Sequence, residues 1–220
     1  MSIETVLFDF DGTLADTNAL ISQSHLAVLE EYFPGEYDLE SVRAFNGPTL
    51  EMVYGKLNPL EKEPMIAKYR HFNETHHDEM VTIFEGVAEN LDRLKSAGIR
   101  LAVVSSKRND VLLRGLDLLN LKEYFEVIVG GLDYKKAKPD PEPIYVALEQ
   151  LKVDFETAIM VGDNSHDIES ANNAGIVSVF VEWSEKTLAE IKPYHPDVTV
   201  TSMTDLADYV IRNKARIKGD

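Results

Sequence analysis

An apolar run leads directly into two acidic residues in the stretch Ile3-Glu4-Thr5-Val6-Leu7-Phe8-Asp9-Phe10-Asp11-Gly12-Thr13. The run predicts a buried β-strand over 3–8, because continuous β-branched and apolar residues are typical of strands covered on both faces. Asp9 and Asp11 follow where the chain leaves this strand, and ligands of open α/β sheets bind outside the carboxyl ends of the strands. Both acids are therefore candidate site residues, although a lone Asp-Phe-Asp-Gly is more often only a turn.

Similar apolar runs recur further along the chain, with helical patterns between them. The runs predict strands at 100–105, 125–129, 157–162 and 176–181. The helical patterns lie at 87–97, 109–119, 141–151 and 165–174. Alternating strands and helices predict an α/β fold with a doubly wound (Rossmann-like) parallel sheet core.

Residues 14–83 interrupt this alternation with helical periodicity and no convincing strand. One helical pattern covers 16–33 and ends at Pro34-Gly35, and shorter ones start at Leu39, Thr49 and Leu60. We therefore expect an inserted all-helical cap domain at 14–83. The α/β core would comprise 1–13 and 84–220.

The composition restricts the classes of partner. The chain has 220 residues, with 22 Lys and Arg against 38 Asp and Glu, a formal net charge of −16. Such a charge repels phosphate backbones, so we expect no nucleic-acid partner. Cys is absent (Cys 0), which excludes disulfides and thiolate chemistry. Because no apolar run approaches the length of a membrane span, we expect no membrane partner and a cytoplasmic location. We also expect a monomer or small homo-oligomer.

Further polar side chains follow the other predicted strands and can meet the first two acids at one edge of the sheet. These groups are Ser105-Ser106-Lys107, Lys138-Pro139 and Gly162-Asp163-Asn164-Ser165-His166-Asp167. Each alone is explained by a helix cap or a solvated charge. Together, the acids, the hydroxyl and the ammonium fit metal-assisted phosphoryl transfer, in which Mg²⁺ takes oxygen ligands while a cation and a hydroxyl hold the phosphoryl oxygens.

In order and spacing, these groups resemble the four motifs of the haloacid dehalogenase superfamily of phosphatases. The matching residues are Asp9-Phe10-Asp11-Gly12-Thr13, Ser105, Lys138-Pro139 and Gly162-Asp163 with Asp167. The insertion is similar to the helical cap of that superfamily, so the resemblance spans nearly the whole chain. Residues 45–50, 137–143 and 161–167 are more narrowly similar to its inorganic pyrophosphatases and phosphoglycolate phosphatases.

The resemblance implies an aspartyl-phosphate mechanism with defined roles for the core residues. Asp9 would be the nucleophile, and Asp11 would act as general acid and then general base. Ser105 and Lys138 would bind the phosphoryl oxygens. Thr13 would add a hydroxyl beside the site.

The resemblance also implies the metal ligands. Asp9, the backbone carbonyl of Asp11 and the side chain of Asp163 would bind Mg²⁺, with Asp167 orienting metal-bound water or Lys138. A metal is expected on electrostatic grounds as well, because two like charges about 5 Å apart repel by roughly 3 kcal/mol at an effective dielectric of about 20.

Substrate selection is expected to come from the insertion, which can close over the strand ends. The candidate contacts are Arg43, Asn46, Thr49, Lys56, Arg70 and His71 from the cap, with Ser106 and Lys107 from the core. We interpret His76 and His77 as a solvated helix end, because adjacent residues do not share a helix face. We interpret His166 as positional.

The substrate is left open among several small phosphorylated compounds. The resemblance favours a Mg²⁺-dependent phosphohydrolase acting on inorganic pyrophosphate, with 2-phosphoglycolate or another small phosphomonoester as the alternative. A sugar-phosphate mutase is a further alternative among enzymes. From a different class, the chain could be a non-catalytic phospholigand sensor. Phosphate release from an aryl phosphate in the presence of Mg²⁺ separates the hydrolase from the other two.

Overall fold

A six-stranded parallel sheet forms the centre of the computed structural model, which describes residues 2–214. In chain order the strands are β1 (Thr5–Phe8), β2 (Ala15–Asp16), β3 (Thr82–Ile83), β4 (Arg100–Val104), β5 (Val127–Val129), β6 (Ala158–Gly162), β7 (Val177–Val181) and β8 (Val198–Val200). All except β2 and β3 belong to the central sheet, in the order β5-β4-β1-β6-β7-β8. The strands predicted at 3–8, 100–105, 125–129, 157–162 and 176–181 are confirmed, each with slightly shorter bounds.

Helices cover both faces of the sheet, and the alternation of side chains along β1 shows how. Val6 and Phe8 point into one apolar core, and Leu7 points into another on the opposite face. The helices are α1 (Asn18–Tyr32), α2 (Leu39–Val42), α3 (Leu50–Leu57), α4 (Lys62–Met80), α5 (Val87–Ser96), α6 (Asn109–Leu118), α7 (Glu142–Leu151), α8 (Ser165–Ala174), α9 (Leu188–Ile191) and α10 (Met203–Arg212). Helices α5, α6 and α10 pack on the face of Val6, and α7 and α8 pack on the face of Leu7. The predicted doubly wound α/β fold is confirmed.

The inserted segment forms a helical layer with a core of its own. Helices α1 to α4 surround Val28, Tyr54, Met65 and neighbouring apolar side chains. The expectation that 14–83 contains no strand is wrong at both ends, because β2 and β3 pair antiparallel, with Ala15 opposite Ile83. Strands of two residues are too short to show any periodicity. This ribbon lies where the chain leaves the core and returns to it, and the domain bounds of 14–83 remain our proposal.

The last strand and helix were not predicted, although α10 has a clear sequence signal. Met203, Leu206, Ala207 and Val210 are buried at helical spacing, and the hydroxyl of Ser202 caps the helix by accepting a hydrogen bond from Asp205 N. None of the helices within residues 2–214 combines the length and the hydropathy that a membrane span requires.

Candidate active site

The register of the central strands brings the sequence motifs together. Phe8 of β1 lies opposite Val103 of β4 on one side and Val161 of β6 on the other. Because the three strands are parallel and in step, the residues that follow them emerge at the same edge of the sheet. Asp9, Ser105 and Asp163 are these residues, and all three are buried.

Lys138 lies at the centre of the acidic residues. Its Nζ donates hydrogen bonds to Asp9 Oδ1 at 3.0 Å, to Asp167 Oδ1 at 2.5 Å and to the backbone oxygen of Val104 at 3.1 Å. These three acceptors satisfy all the donors of an ammonium group. Burial opposes the charge of Lys138, but Asp167 and Asp9 outweigh it and raise the lysine pKa. Lys138 is therefore held as a buried cation.

The carboxylates around Lys138 fit a divalent metal ion. Asp9, Asp163 and Asp167 each offer an oxygen, and these oxygens lie within 4.8 Å of one another. Burial, with the charges of Asp167 and Asp11, raises the pKa of Asp9 to about 7 against the opposing effect of Lys138. Burial, with the charges of Asp167 and Asp9, also raises the pKa of Asp163 well above its usual range. One lysine does not neutralise this cluster, and a hard divalent cation with oxygen ligands would.

Asp11 has a separate cationic partner. Lys107 Nζ lies 2.7 Å from Asp11 Oδ1 and 5.8 Å from the centre of the Phe10 ring. Both charged side chains line the cavity described below. Lys107, expected to contact the substrate, is thus placed where it orients the candidate acid and base.

Gly12 allows the backbone of the first motif to pack directly against Asp163, a candidate metal ligand. Its φ is +74°, and a Cβ built at this position would lie 2.2 Å from Asp163 Oδ2. A side chain is therefore excluded by conformation and by space. The next residue, Thr13, is buried and outside the cavity, and within residues 2–214 its hydroxyl has no hydrogen-bond partner. Its backbone oxygen accepts a hydrogen bond from Trp183 Nε1 at 3.0 Å.

A cavity of about 540 Å³ separates these groups from the helical layer. Among the expected site residues it is lined by Asp9, Asp11, Asn46, Thr49, Arg70, Ser105, Ser106, Lys107, Lys138, Asp163 and Asp167. In the part of the chain that the structure describes, Thr13, Arg43, Lys56 and His71 lie outside this lining. The structure thus brings the core motifs together with only some of the cap candidates.

The arginines near the cavity are paired with acids. Arg70 lies 3.3 Å from Glu51, and Arg108 lies 2.7 Å from Glu74. Arg43 donates to the backbone oxygen of Glu185 at 2.5 Å, and its Nε lies 3.5 Å from the carboxylate of the same residue. Arg43 therefore joins the cap to a core loop.

Several residues that contact both the cap and the core were missed. Asn164 Nδ2 donates to the backbone oxygen of Asn46 at 2.9 Å, and Asn46 Nδ2 donates to Glu185 Oε2 at 3.2 Å. Asn164 had a local signal, because Asn and Asp three residues apart at the start of α8 form a capping box. Glu185 lies in the loop after β7, where no motif marked it.

The interpretation of His77 as a solvated residue is wrong. His77 is fully buried, and its Nδ1 lies 2.8 Å from Asp78 Oδ1. Its Nε2 lies 3.5 Å from where a Cβ on Gly115 of α6 would stand, so the end of α4 is covered by a core helix. His166 lines the cavity, with its Nδ1 3.1 Å from Asn164 Oδ1.

Comparison with known proteins agrees with this geometry. A family model described as haloacid dehalogenase-like hydrolase matches residues 6–181. The chain belongs to this family. It is 43% identical over 206 residues to pyrophosphatase PpaX of Bacillus cereus (strain G9842), covering 94% of this chain and 95% of that relative.

Two solved structures share the whole architecture. A predicted phosphatase from Clostridium acetobutylicum has a TM-score of 0.87 and 28% identity, covering 96% of this chain and 100% of the other. A haloacid dehalogenase-like family hydrolase from Streptococcus pneumoniae matches the fold with a TM-score of 0.84 at 23% identity, covering 94% and 98%. The expected enzyme class is confirmed: the protein is a hydrolase of the phosphatase type.

Proposed function

We propose that the protein is a Mg²⁺-dependent phosphohydrolase that hydrolyses inorganic pyrophosphate through a phosphorylated Asp9. The observation that carries this proposal is the position of Asp9, which belongs both to the buried carboxylate cluster and to the hydrogen bonds of Lys138. A nucleophile in phosphoryl transfer needs both surroundings, because the incoming phosphoryl group brings further negative charge. The choice of pyrophosphate as the proposed substrate is supported by the relative at 43% identity, which is named a pyrophosphatase.

The residues proposed to hold Mg²⁺ are Asp9, Asp163 and the backbone carbonyl of Asp11. Asp167 is the third acid of the cluster, and its contact with Lys138 at 2.5 Å gives it the role of fixing that cation. When bound, Mg²⁺ would offset the charge of the carboxylates and polarise the phosphoryl group.

The first half of the reaction forms the aspartyl-phosphate. An oxygen of Asp9 attacks the phosphorus, and the bond between phosphorus and the leaving oxygen breaks. Lys138 and the hydroxyl of Ser105 hold the phosphoryl oxygens, and Asp11 gives its proton to the leaving group. With pyrophosphate as substrate, the leaving group is inorganic phosphate.

The second half restores the enzyme. Asp11, now a carboxylate, takes a proton from water, and the oxygen of that water attacks the phosphorus. The bond to Asp9 breaks and a second phosphate leaves. Lys107, 2.7 Å from Asp11, holds the Asp11 side chain at the cavity in both halves.

The leaving phosphate would be recognised by polar groups on the cap side of the cavity. Asn46, Thr49 and Arg70 line the cavity from the cap, and Lys107 lines it from the core. Pyrophosphate is compact and offers no carbon to an apolar pocket, so donors and cations must recognise it. The cavity of about 540 Å³ also admits a larger leaving group, which makes phosphoglycolate the compound to compare.

A side-by-side assay tests the substrate. We would measure kcat/KM for pyrophosphate, 2-phosphoglycolate and a hexose phosphate at saturating Mg²⁺, and analyse the products for free phosphate and isomerised sugar. We expect pyrophosphate to exceed phosphoglycolate by at least about tenfold, which corresponds to about 1.4 kcal/mol of transition-state binding.

Three other outcomes contradict the proposal in different ways. A tenfold preference for phosphoglycolate replaces the substrate and keeps the mechanism. Isomerisation of the sugar without phosphate release identifies a mutase. Binding of phosphorylated compounds without turnover of any of them, an aryl phosphate included, identifies a sensor.

A further inference from the structure

The loop that follows β7 contacts the acidic cluster although it carries none of the phosphatase motifs. Ser184 belongs to this loop, and its Oγ lies 2.7 Å from Asp163 Oδ2. On its other side, Asn18 Nδ2 lies 3.2 Å from the same Oγ. Asn18 is the first residue of α1 and thus the first helical residue of the cap. One hydroxyl therefore bridges a candidate metal ligand and the cap.

The chemistry of the three groups determines the direction of the hydrogen bonds. An ionised carboxylate only accepts hydrogen bonds, so the single proton of Ser184 goes to Asp163. The hydroxyl oxygen is then free to accept from the amide of Asn18. These two linked hydrogen bonds occupy one carboxylate oxygen of Asp163 and leave the other available to a cation.

The backbone at Gly12 lies close to both partners of this hydrogen bond. A Cβ at Gly12 would lie 2.2 Å from Asp163 Oδ2 and 2.8 Å from Ser184 Oγ. The backbone of the first motif therefore packs against both partners. The Asp163 carboxylate is held from two sides, by the backbone at Gly12 and by the hydroxyl of Ser184.

The residue after Ser184 faces the cap. Glu185 accepts a hydrogen bond from Asn46 Nδ2 at 3.2 Å and pairs with Arg43. Lys186 Nζ then donates to the backbone oxygen of Arg43 at 3.2 Å. Consecutive side chains of one loop thus join the acidic cluster to the cap.

We propose that Ser184 is a positioning residue for the metal site, orienting Asp163 for the cation and linking it to the cap through Asn18. The inference rests on the proposed Mg²⁺ site and goes beyond it, since Ser184 itself contacts neither metal nor substrate. Hydrogen bonds to ligating carboxylates typically contribute a factor of 10 to 100 in metal affinity. Removing the hydroxyl should therefore weaken Mg²⁺ binding while leaving the ligands in place.

Calorimetric titration with Mg²⁺ in the absence of substrate tests this proposal. We expect Ser184→Ala to bind Mg²⁺ about tenfold more weakly than wild type, and Ser184→Thr, which keeps a hydroxyl, to bind within about twofold of wild type. Ser96→Ala is the matched control, because Ser96 is exposed at the end of α5. It should bind Mg²⁺ as wild type does.

Steady-state kinetics provide a second readout. For Ser184→Ala, the Mg²⁺ concentration at half-maximal rate should rise about tenfold, and kcat at saturating Mg²⁺ should stay within about twofold of wild type. A general loss of folded protein would instead lower kcat at every Mg²⁺ concentration. Asn18→Ala leaves Ser184 in place and should weaken Mg²⁺ binding by a smaller factor than Ser184→Ala. It is the variant to test if Ser184→Ala does not fold.

The outcomes separate this inference from the proposed function. Wild-type affinity in Ser184→Ala overturns the role of Ser184 and leaves the metal site standing. Equal weakening in Ser184→Ala and Ser184→Thr also overturns it, because the hydroxyl is then not the cause. Absence of Mg²⁺ binding in the wild type overturns the metal site itself, and the inference with it.

Discussion

Lys138 and Asp167 form a buried ion pair, with Nζ 2.5 Å from Oδ1 and both side chains almost fully enclosed. The same ammonium also contacts Asp9 at 3.0 Å. A buried pair of this kind is costly to break from one side, because the remaining charge keeps its desolvation penalty and loses its partner. The lysine therefore has a structural role before any substrate arrives.

Replacing Lys138 tests its structural role and its proposed role in phosphoryl transfer together. In Lys138→Met the side chain keeps its approximate length and loses its charge, which leaves Asp9 and Asp167 buried without a cation. We expect metal-free stability at pH 8 to fall by about 3 kcal/mol, measured by urea unfolding. We also expect kcat/KM to fall at least about 100-fold, or about 2.7 kcal/mol.

Lys136→Met is the control for that experiment. Lys136 lies in the same loop, is exposed, and has its Nζ 3.7 Å from Asp140. Loss of such a surface pair should change stability by less than about 1 kcal/mol. Equal stability and activity in the two variants would contradict the assignment of Lys138.

Asp9→Asn tests the covalent step. The amide has nearly the same shape as the carboxylate but is a poor nucleophile, so phosphate release should fall at least about 1000-fold, roughly 4 kcal/mol of barrier. Circular dichroism and thermal unfolding would show that the variant is folded. Turnover within about tenfold of wild type would rule out Asp9 as the phosphorylated residue.

The core of this site was predictable because parallel strands place it. A polar residue directly follows each of the largely apolar strands β1, β4 and β6, and their register alone brings Asp9, Ser105 and Asp163 to one edge. Local sequence carries that information. The doubly wound fold and the meeting of these candidate site residues at one edge could therefore be predicted before any contact was known.

The contacts between cap and core were not predictable in this way. Asn18 and Ser184 are 166 residues apart in the chain, and a single hydroxyl in a loop carries no periodic pattern. His77 was misinterpreted for a related reason, since its burial depends on how α6 packs against the end of α4. These features depend on tertiary packing, which no single segment encodes.

The pH dependence of stability has an identifiable contributor in the cap. His25 is buried, with its Nδ1 2.9 Å from Tyr54 Oη, and burial lowers the pKa of its ring to about 3. Because the unfolded state binds this proton more readily, the free energy of unfolding falls as pH decreases from about 6.5 towards 3. One such proton contributes up to about 1.4 kcal/mol per pH unit.

His25→Gln should remove this part of the pH dependence. We would measure urea unfolding at pH 7, 6 and 5 and expect a shallower loss of stability in the variant than in wild type. His71→Gln is the control, because His71 is an exposed residue of the same cap. Burial also lowers the pKa of His77 and His166. Both residues are unchanged in the two variants, so their contribution to the pH dependence is the same in each. Identical slopes in wild type and His25→Gln would exclude His25 as the source.

Two glycines of the cap allow the effect of cap closure over the cavity to be tested separately from the effect of backbone strain. Gly47 and Gly35 both have positive φ, +115° and +72°, which a side chain disfavours. A Cβ at Gly47 would lie 2.3 Å from Asn164 Nδ2, whereas a Cβ at Gly35 would meet no atom of the described part of the chain within 4 Å. Of these two glycines, Gly47 is the one that lies against the core motif carrying Asp163 and Asp167.

Gly47→Ala should therefore impair closure, and Gly35→Ala should not. Both substitutions place alanine at a disfavoured φ and should lower stability by about 1 kcal/mol or more. Only Gly47→Ala should raise KM for pyrophosphate, by about tenfold, because the added methyl group displaces Asn164 from its hydrogen bond to Asn46. It should also speed amide hydrogen exchange in residues 43–50. Equal KM values in the two variants would mean that the contact between Gly47 and Asn164 does not control closure.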